Sequence, residues 1–98
     1  MLSKFPIDLE KIDKKNLDKE ILRASIIAEL DAINLYEQMA EYTDDKEMKV
    51  ILLDVAREEK THVGEFQTLL LARDRQQVEE LEAGKEEVKE ELEEHESD

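Results

Sequence analysis

The 98-residue chain contains no cysteine, so neither a disulfide nor a thiolate metal site can form. That absence also fits a reducing compartment. Proline occurs once and glycine twice, which leaves long stretches free of helix breakers. No apolar run approaches the roughly 18 residues needed to cross a bilayer. The N-terminal "MLSKFPIDLEKIDKKN" lacks the continuous apolar stretch of a signal peptide. A phosphate-binding glycine-rich loop is missing, as is any Ser/His/Asp or Cys/His pattern for nucleophilic catalysis. These absences lead us to expect one small cytoplasmic, soluble domain with a limited core.

What is abundant is charge. Charged residues make up 43% of the chain and the net charge is −14. Nucleic acid is excluded as a natural partner, because binding phosphates requires a basic surface. Cations suit this balance better. The acidity is concentrated at the end, where residues 76–98 set eleven acids against Lys85 and Lys89. A charge run of this kind is ordinarily a solvated face.

Residues 17–43 and 45–83 are rich in Leu, Ala, Glu, Lys, Met and Arg and contain no proline, which predicts two long helices. Asn16 is the expected cap of the first. Asp44 with Glu47 three residues on has the form of a capping box for the second. The short "TDDKE" connection predicts an antiparallel hairpin. Three segments follow: an arm over 1–15 with Pro6 opposing helix, a helical hairpin over 16–83, and an acidic helix, tail or linker over 84–98. Gly84 is expected to end or kink the second helix.

Periodicity carries more information. Leu22, Ile26, Glu29, Ile33, Tyr36 and Ala40 follow an alternating 4-3 spacing, as do Met48, Leu52, Val55, Glu59, His62, Phe66 and Leu69. Both are packing stripes of helix–helix seams. The turn centre lies near residue 43.5, and the helical rise places Glu29 and Glu59 roughly 22 and 23 Å from it. The two carboxylates are therefore level, and His62 shares a face with Glu59. Glu58, about 100° round the helix, is expected to face solvent.

A lone glutamate in a seam is commonly solvated at its tip, and a lone histidine on an apolar face is commonly a hydrogen-bonded core residue. Three such groups at one height are a different matter. Carboxylates removed from water cost several kcal/mol unless paired or coordinated, and a divalent cation satisfies all three. Carboxylate and imidazole ligands suit iron or manganese, with zinc also possible. One hairpin supplies half a site and leaves a seam uncovered. A two-fold pair of hairpins makes a four-helix unit carrying four Glu and two His, the inventory of di-iron carboxylate bundles.

With these residues in view, "AELDAINLYEQ" (28–38), the "TDD" turn and "REEKTH" (57–62) resemble the encapsulated ferritins, ferritin-like proteins of half the usual length housed inside an encapsulin shell. The resemblance covers roughly residues 20–75. It implies an all-α hairpin assembled into a ring, commonly a decamer, with a di-iron ferroxidase centre between subunits. It further implies Glu29, Glu59 and His62 as iron ligands, Tyr36 as a phenol contributing near the metal, and Asp31 as a secondary acid that draws iron in. Storage of the oxidised iron would fall to the shell, which makes the interior of a cytoplasmic nanocompartment the expected location.

Three positions depart from the family pattern: Ala28 where a further acid can occur, Leu35 where a Trp often precedes the Tyr, and an "EEHESD" end without the apolar loading peptide of free-standing members. The last fits either a domain excised from a shell fusion or different targeting. Two other readings stand beside the ferroxidase: a di-iron enzyme that reduces peroxide, and a non-catalytic oligomeric scaffold. Gly64 is either a point of close approach or a tolerated glycine. Glu65 and His95 are expected to be solvated.

Overall fold

The computed structural model describes residues 8, 10–11 and 13–97. Most of the arm expected over 1–15 therefore lies outside the described residues. A 3-10 turn at Lys14–Asn16 leads into α1 (Leu17–Tyr42), followed by α2 (Lys46–Leu71) and α3 (Arg75–Ser97). Among the described residues there is no strand, and no helix is long and apolar enough to cross a membrane.

The side-chain start signals act one and three residues away from where the sequence suggests. Asp45 caps α2, its carboxylate accepting from the Met48 N–H at 3.0 Å. Asp44 stays in the connection instead, because the Thr43 hydroxyl accepts from the Asp45 N–H at 3.2 Å and turns the chain one residue later. Asn16 occupies the cap position of α1 without a side-chain hydrogen bond. The preceding 3-10 turn brings Asp13 into that role, its carboxylate accepting from the Lys15 N–H at 3.2 Å.

The single helix expected over 45–83 is two helices. α2 ends at Leu71, and Asp74 restarts the chain by accepting from the Gln77 N–H at 3.1 Å. "DRQQ" is itself a capping box, Asp followed by Gln three residues on. Arg23 of α1 fixes this corner through its guanidinium, 2.9 Å from the Asp74 carboxylate. Gly84, expected to break a helix, sits inside α3 with no positive φ. Its neighbours Glu, Ala and Lys are strong helix formers, and one glycine costs only about 1 kcal/mol against them.

α1 and α2 are each 26 residues, about 39 Å long. Their partners run in opposite order: Arg23 with Asp74, Glu29 with His62, Glu37 with Lys60. That is an antiparallel pair. Small residues permit close approach, since Ala40 and Ala56 are 2% and 1% exposed. Leu22, Ile33 and Leu70 complete the contact, with Ala24 also buried. The α2 stripe is displaced from its expected line at both ends. Met48 and Leu69 are about half exposed, while Leu70 takes the inward place.

α3 has no buried residue among those described and meets the hairpin only near its start. The radius of gyration is 17.5 Å, against about 13 Å for a compact chain of this length. Large apolar side chains remain exposed on all three helices, among them Leu30, Ile51, Leu53, Val88 and Leu92.

The α3 corner gives a pH test. The Gln77 N–H, then the Arg23 guanidinium, hold the Asp74 carboxyl below its ordinary value of 3.8, against partial burial, which pushes it up. A depressed carboxyl stabilises the fold above its unfolded pKa, and that contribution is lost as pH falls through the lowered value. In urea melts, Asp74→Ala should lower the wild-type midpoint by a constant amount from pH 5 to 7. The gap should close below about pH 4. Separately, Asp45→Ala should cost about 1 kcal/mol through loss of the α2 cap.

Candidate metal centre

Near the middle of the hairpin three polar side chains interrupt the seam. Glu29 projects from α1, and Glu59 and His62 from adjacent turns of α2. Their nearest ligand atoms all lie within 4.8 Å of one another. The His62 Nδ1 is 3.4 Å from the Glu29 Oε2 and 3.5 Å from the Glu59 Oε2. Both carboxylates are mostly enclosed, with side chains 19% exposed, whereas the imidazole is 44% exposed. The group thus has an inner wall of two acids and an outer edge open on one side.

Local sequence dictates this placement. Glu29 replaces an apolar residue on the row Leu22–Ile26–Ile33–Ala40, and Glu59 does so between Val55 and Phe66. Helical spacing brings His62 above Glu59. The seam also bears a cross-helix ion pair, Lys60 Nζ to Glu37 at 2.8 Å, which sequence reasoning missed. Lys60 follows Glu59 by about 100°, so it reaches over the opposite flank and leaves the acids to each other.

The donor set fits a divalent cation. Glu29 Oε2 is buried and accepts no hydrogen bond from the protein, a costly state for a carboxylate oxygen. His62 approaches it at ion-pair distance without hydrogen-bond alignment. Two ligands of one ion held at about 2.1 Å are at most about 4.2 Å apart. The three groups therefore need only a small closure to share an ion. They are hard oxygen and imidazole donors, which suit iron, manganese or zinc.

The structure does not bring every candidate here. Tyr36 lies seven residues beyond Glu29, about 10 Å along α1, and is half-buried. Asp31 lies about 200° round the helix from Glu29 and stands outside the group. Glu58, Glu65 and His95 are exposed, as expected. A Cβ on Gly64 would meet nothing within 4 Å, so packing inside the chain does not require that glycine.

Residues 5–92 match the EncFtn-like family. Over 92 residues the chain is 62% identical to the "Ferritin-like-encapsulin shell fusion protein" of Pyrococcus furiosus, covering 92% of this chain and 27% of that protein. It is 39% identical over 70 residues to "Encapsulin nanocompartment cargo protein EncC" of Myxococcus xanthus, covering 68% of this chain and 54% of that one. The chain thus spans about a quarter and about half of the lengths of these relatives. The crystal structure of the encapsulated ferritin domain from Pyrococcus furiosus superposes with a TM-score of 0.79 at 61% identity, covering 92% of this chain and 94% of the other.

If the three groups share an ion, Co(II), a redox-stable probe, should raise the thermal midpoint. Ligand at a hundred times its dissociation constant adds about 2.7 kcal/mol. Glu29→Gln and His62→Ala should each remove the increment. A wild-type midpoint indifferent to the metal would leave these residues as ordinary seam polars.

Proposed function

The chain belongs to the EncFtn-like family, and from that premise we propose that it is a ferroxidase, oxidising Fe(II) at a di-iron site shared by two copies. The observation that carries the reading is the convergence of Glu29, Glu59 and His62 around a buried carboxylate oxygen that no protein donor satisfies. One hairpin offers three ligands and an open edge at His62. A second copy related by a two-fold axis through that edge contributes the same three, giving four carboxylates and two imidazoles for two ions.

Iron is the substrate. Two Fe(II) ions each give up one electron. With dioxygen as oxidant, the two electrons and two protons leave as hydrogen peroxide, and Fe(III) is the product. The chain's part is electrostatic. Glu29 and Glu59 present hard anionic oxygens that favour the higher charge of Fe(III) over Fe(II). His62 supplies a nitrogen ligand at the edge that faces the second copy. In this reading Tyr36, two turns along α1, would contribute a phenol toward the metal, and Asp31 would serve as an acid outside the ligand group. The names of the Pyrococcus and Myxococcus relatives support residence in an encapsulin nanocompartment. There the product would be stored, the hairpins would assemble as a ring, commonly a decamer, and residues 84–98 would act as an acidic linker.

Anaerobic titration of the apo-protein with Fe(II), read by native mass spectrometry, tests this directly. Two irons per pair of chains, followed by Fe(III) absorbance on admitting air, is the expected result. Glu59→Ala should abolish loading and oxidation while leaving helical circular dichroism intact. Full loading by that variant would sink the assignment.

A further inference from the structure

The segment "REEKTH", which supplies Glu59 and His62, also carries two bases, Arg57 and Lys60, each within two residues of a candidate ligand. A basic side chain is the ordinary partner of an enclosed carboxylate. Among the described residues, however, neither Glu29 nor Glu59 is paired with an arginine or a lysine. Both bases are engaged elsewhere. The Arg57 guanidinium donates through Nε and Nη2 to Asp54 Oδ1 at 3.2 and 2.9 Å, on its own helix. The Lys60 Nζ crosses to α1 and meets Glu37 Oε2 at 2.8 Å.

Sequence pattern makes the second pairing selective. Charges on a helix are commonly balanced three or four residues away. Around Lys60 those positions are Ala56, Arg57, Val63 and Gly64; around Glu37 they are Ile33, Asn34, Ala40 and Glu41. Neither residue has an opposite charge there, so Lys60 turns to the facing helix. On α1, Glu29 and Glu37 lie eight residues, about 12 Å, apart. Lys60 takes the one, while His62 stands 3.4 Å from the other. The Lys60 side chain is 59% exposed, and its four-carbon stem is flexible. What keeps its charge on the flank is Glu37.

We propose that Glu37 is a positioning residue for the metal centre, holding the Lys60 ammonium away so that no basic side chain competes with a divalent cation for Glu29 and Glu59. The inference rests on the metal-binding reading above and adds a residue to it. A lysine paired with the two acids would cancel the charge that attracts a cation and occupy the oxygen lone pairs that bind it. Joined to Glu37, Lys60 instead presents a neutral pair to the site, and Glu29 Oε2 stays without a protein donor. Removing Glu37 frees the ammonium to turn toward Glu59, its neighbour in sequence, and toward Glu29 across the seam.

Calorimetric titration of the apo-protein with Co(II) tests this without turnover. Glu37→Gln should weaken binding about tenfold at about 0.05 M salt, and by less at about 1 M, where the Debye length is about 3 Å. Lys60→Met keeps the stem and removes the charge. It should bind Co(II) at least as tightly as the wild type, and added to Glu37→Gln it should restore wild-type affinity. A pair that merely braced the helices gives the contrary result: Lys60→Met weakens binding too, and the double variant does not recover. That outcome would overturn the proposal. Glu41→Gln makes the same charge change one turn along and should have little effect; a loss equal to that of Glu37→Gln would reduce the effect to net charge and overturn the proposal as well. Glu37, Glu41 and Lys60 are outside the buried core, so helical circular dichroism should be unchanged throughout. Wild-type affinity in Glu37→Gln overturns the positioning role and leaves the metal centre standing. A wild type that binds no Co(II) overturns both.

Discussion

The approach of α1 to α2 governs where everything else sits. Two buried alanines, Ala40 and Ala56, let the helices pack closely, and the lengths on either side of a three-residue connection then decide which side chains face each other. Glu29 meets Glu59 because both lie nearly the same number of residues from the turn. A shift of one residue along either helix turns its side chain by about 100° and would part the acids. The ion pairs Glu37–Lys60 and Arg23–Asp74 sit along the same contact at 2.8 and 2.9 Å. As partly exposed pairs each adds little stability. Together they mark the one alignment in which the polar groups are level.

That alignment holds two acids where hydrocarbon would pack better. An isolated hairpin gains nothing from a buried oxygen without a donor, and replacing Glu29 and Glu59 with leucine would relieve the desolvation cost. The placement supports the proposal of a cation held between them. The same reasoning separates this group from the chain's other acids. Those of α3 are exposed, water already solvates them, and their number alone implies no ligand.

The hairpin and the level of the candidate ligands were legible in the sequence because both follow from helical period and a short connection. The finer punctuation was harder to read. Asp44 and Asp45 are chemically alike, and the choice between them falls to the Thr43 hydroxyl, a three-residue effect that periodicity does not register. The corner at Asp74 carried a readable signal in Asp74 and Gln77. Good helix formers on both sides concealed it, and its decisive contact comes from Arg23, 51 residues away in sequence. The Leu69–Leu70 exchange has a similar origin. Adjacent leucines fit either of two stripes, and only the packing angle selects between them. The candidate ligand types were legible one by one. Their convergence within 4.8 Å was an arithmetical expectation that needed the helices' actual approach.

The core described here amounts to six buried side chains, three of them alanine. So small a core leaves a lone hairpin with few contacts to oppose the conformational entropy released on unfolding. If copies pair as proposed, folding and association become one equilibrium, and apparent stability carries a concentration term, as in dimers without a folded monomer. Crowding many copies into a small volume would hold the helices folded by mass action alone, and dilution would melt them.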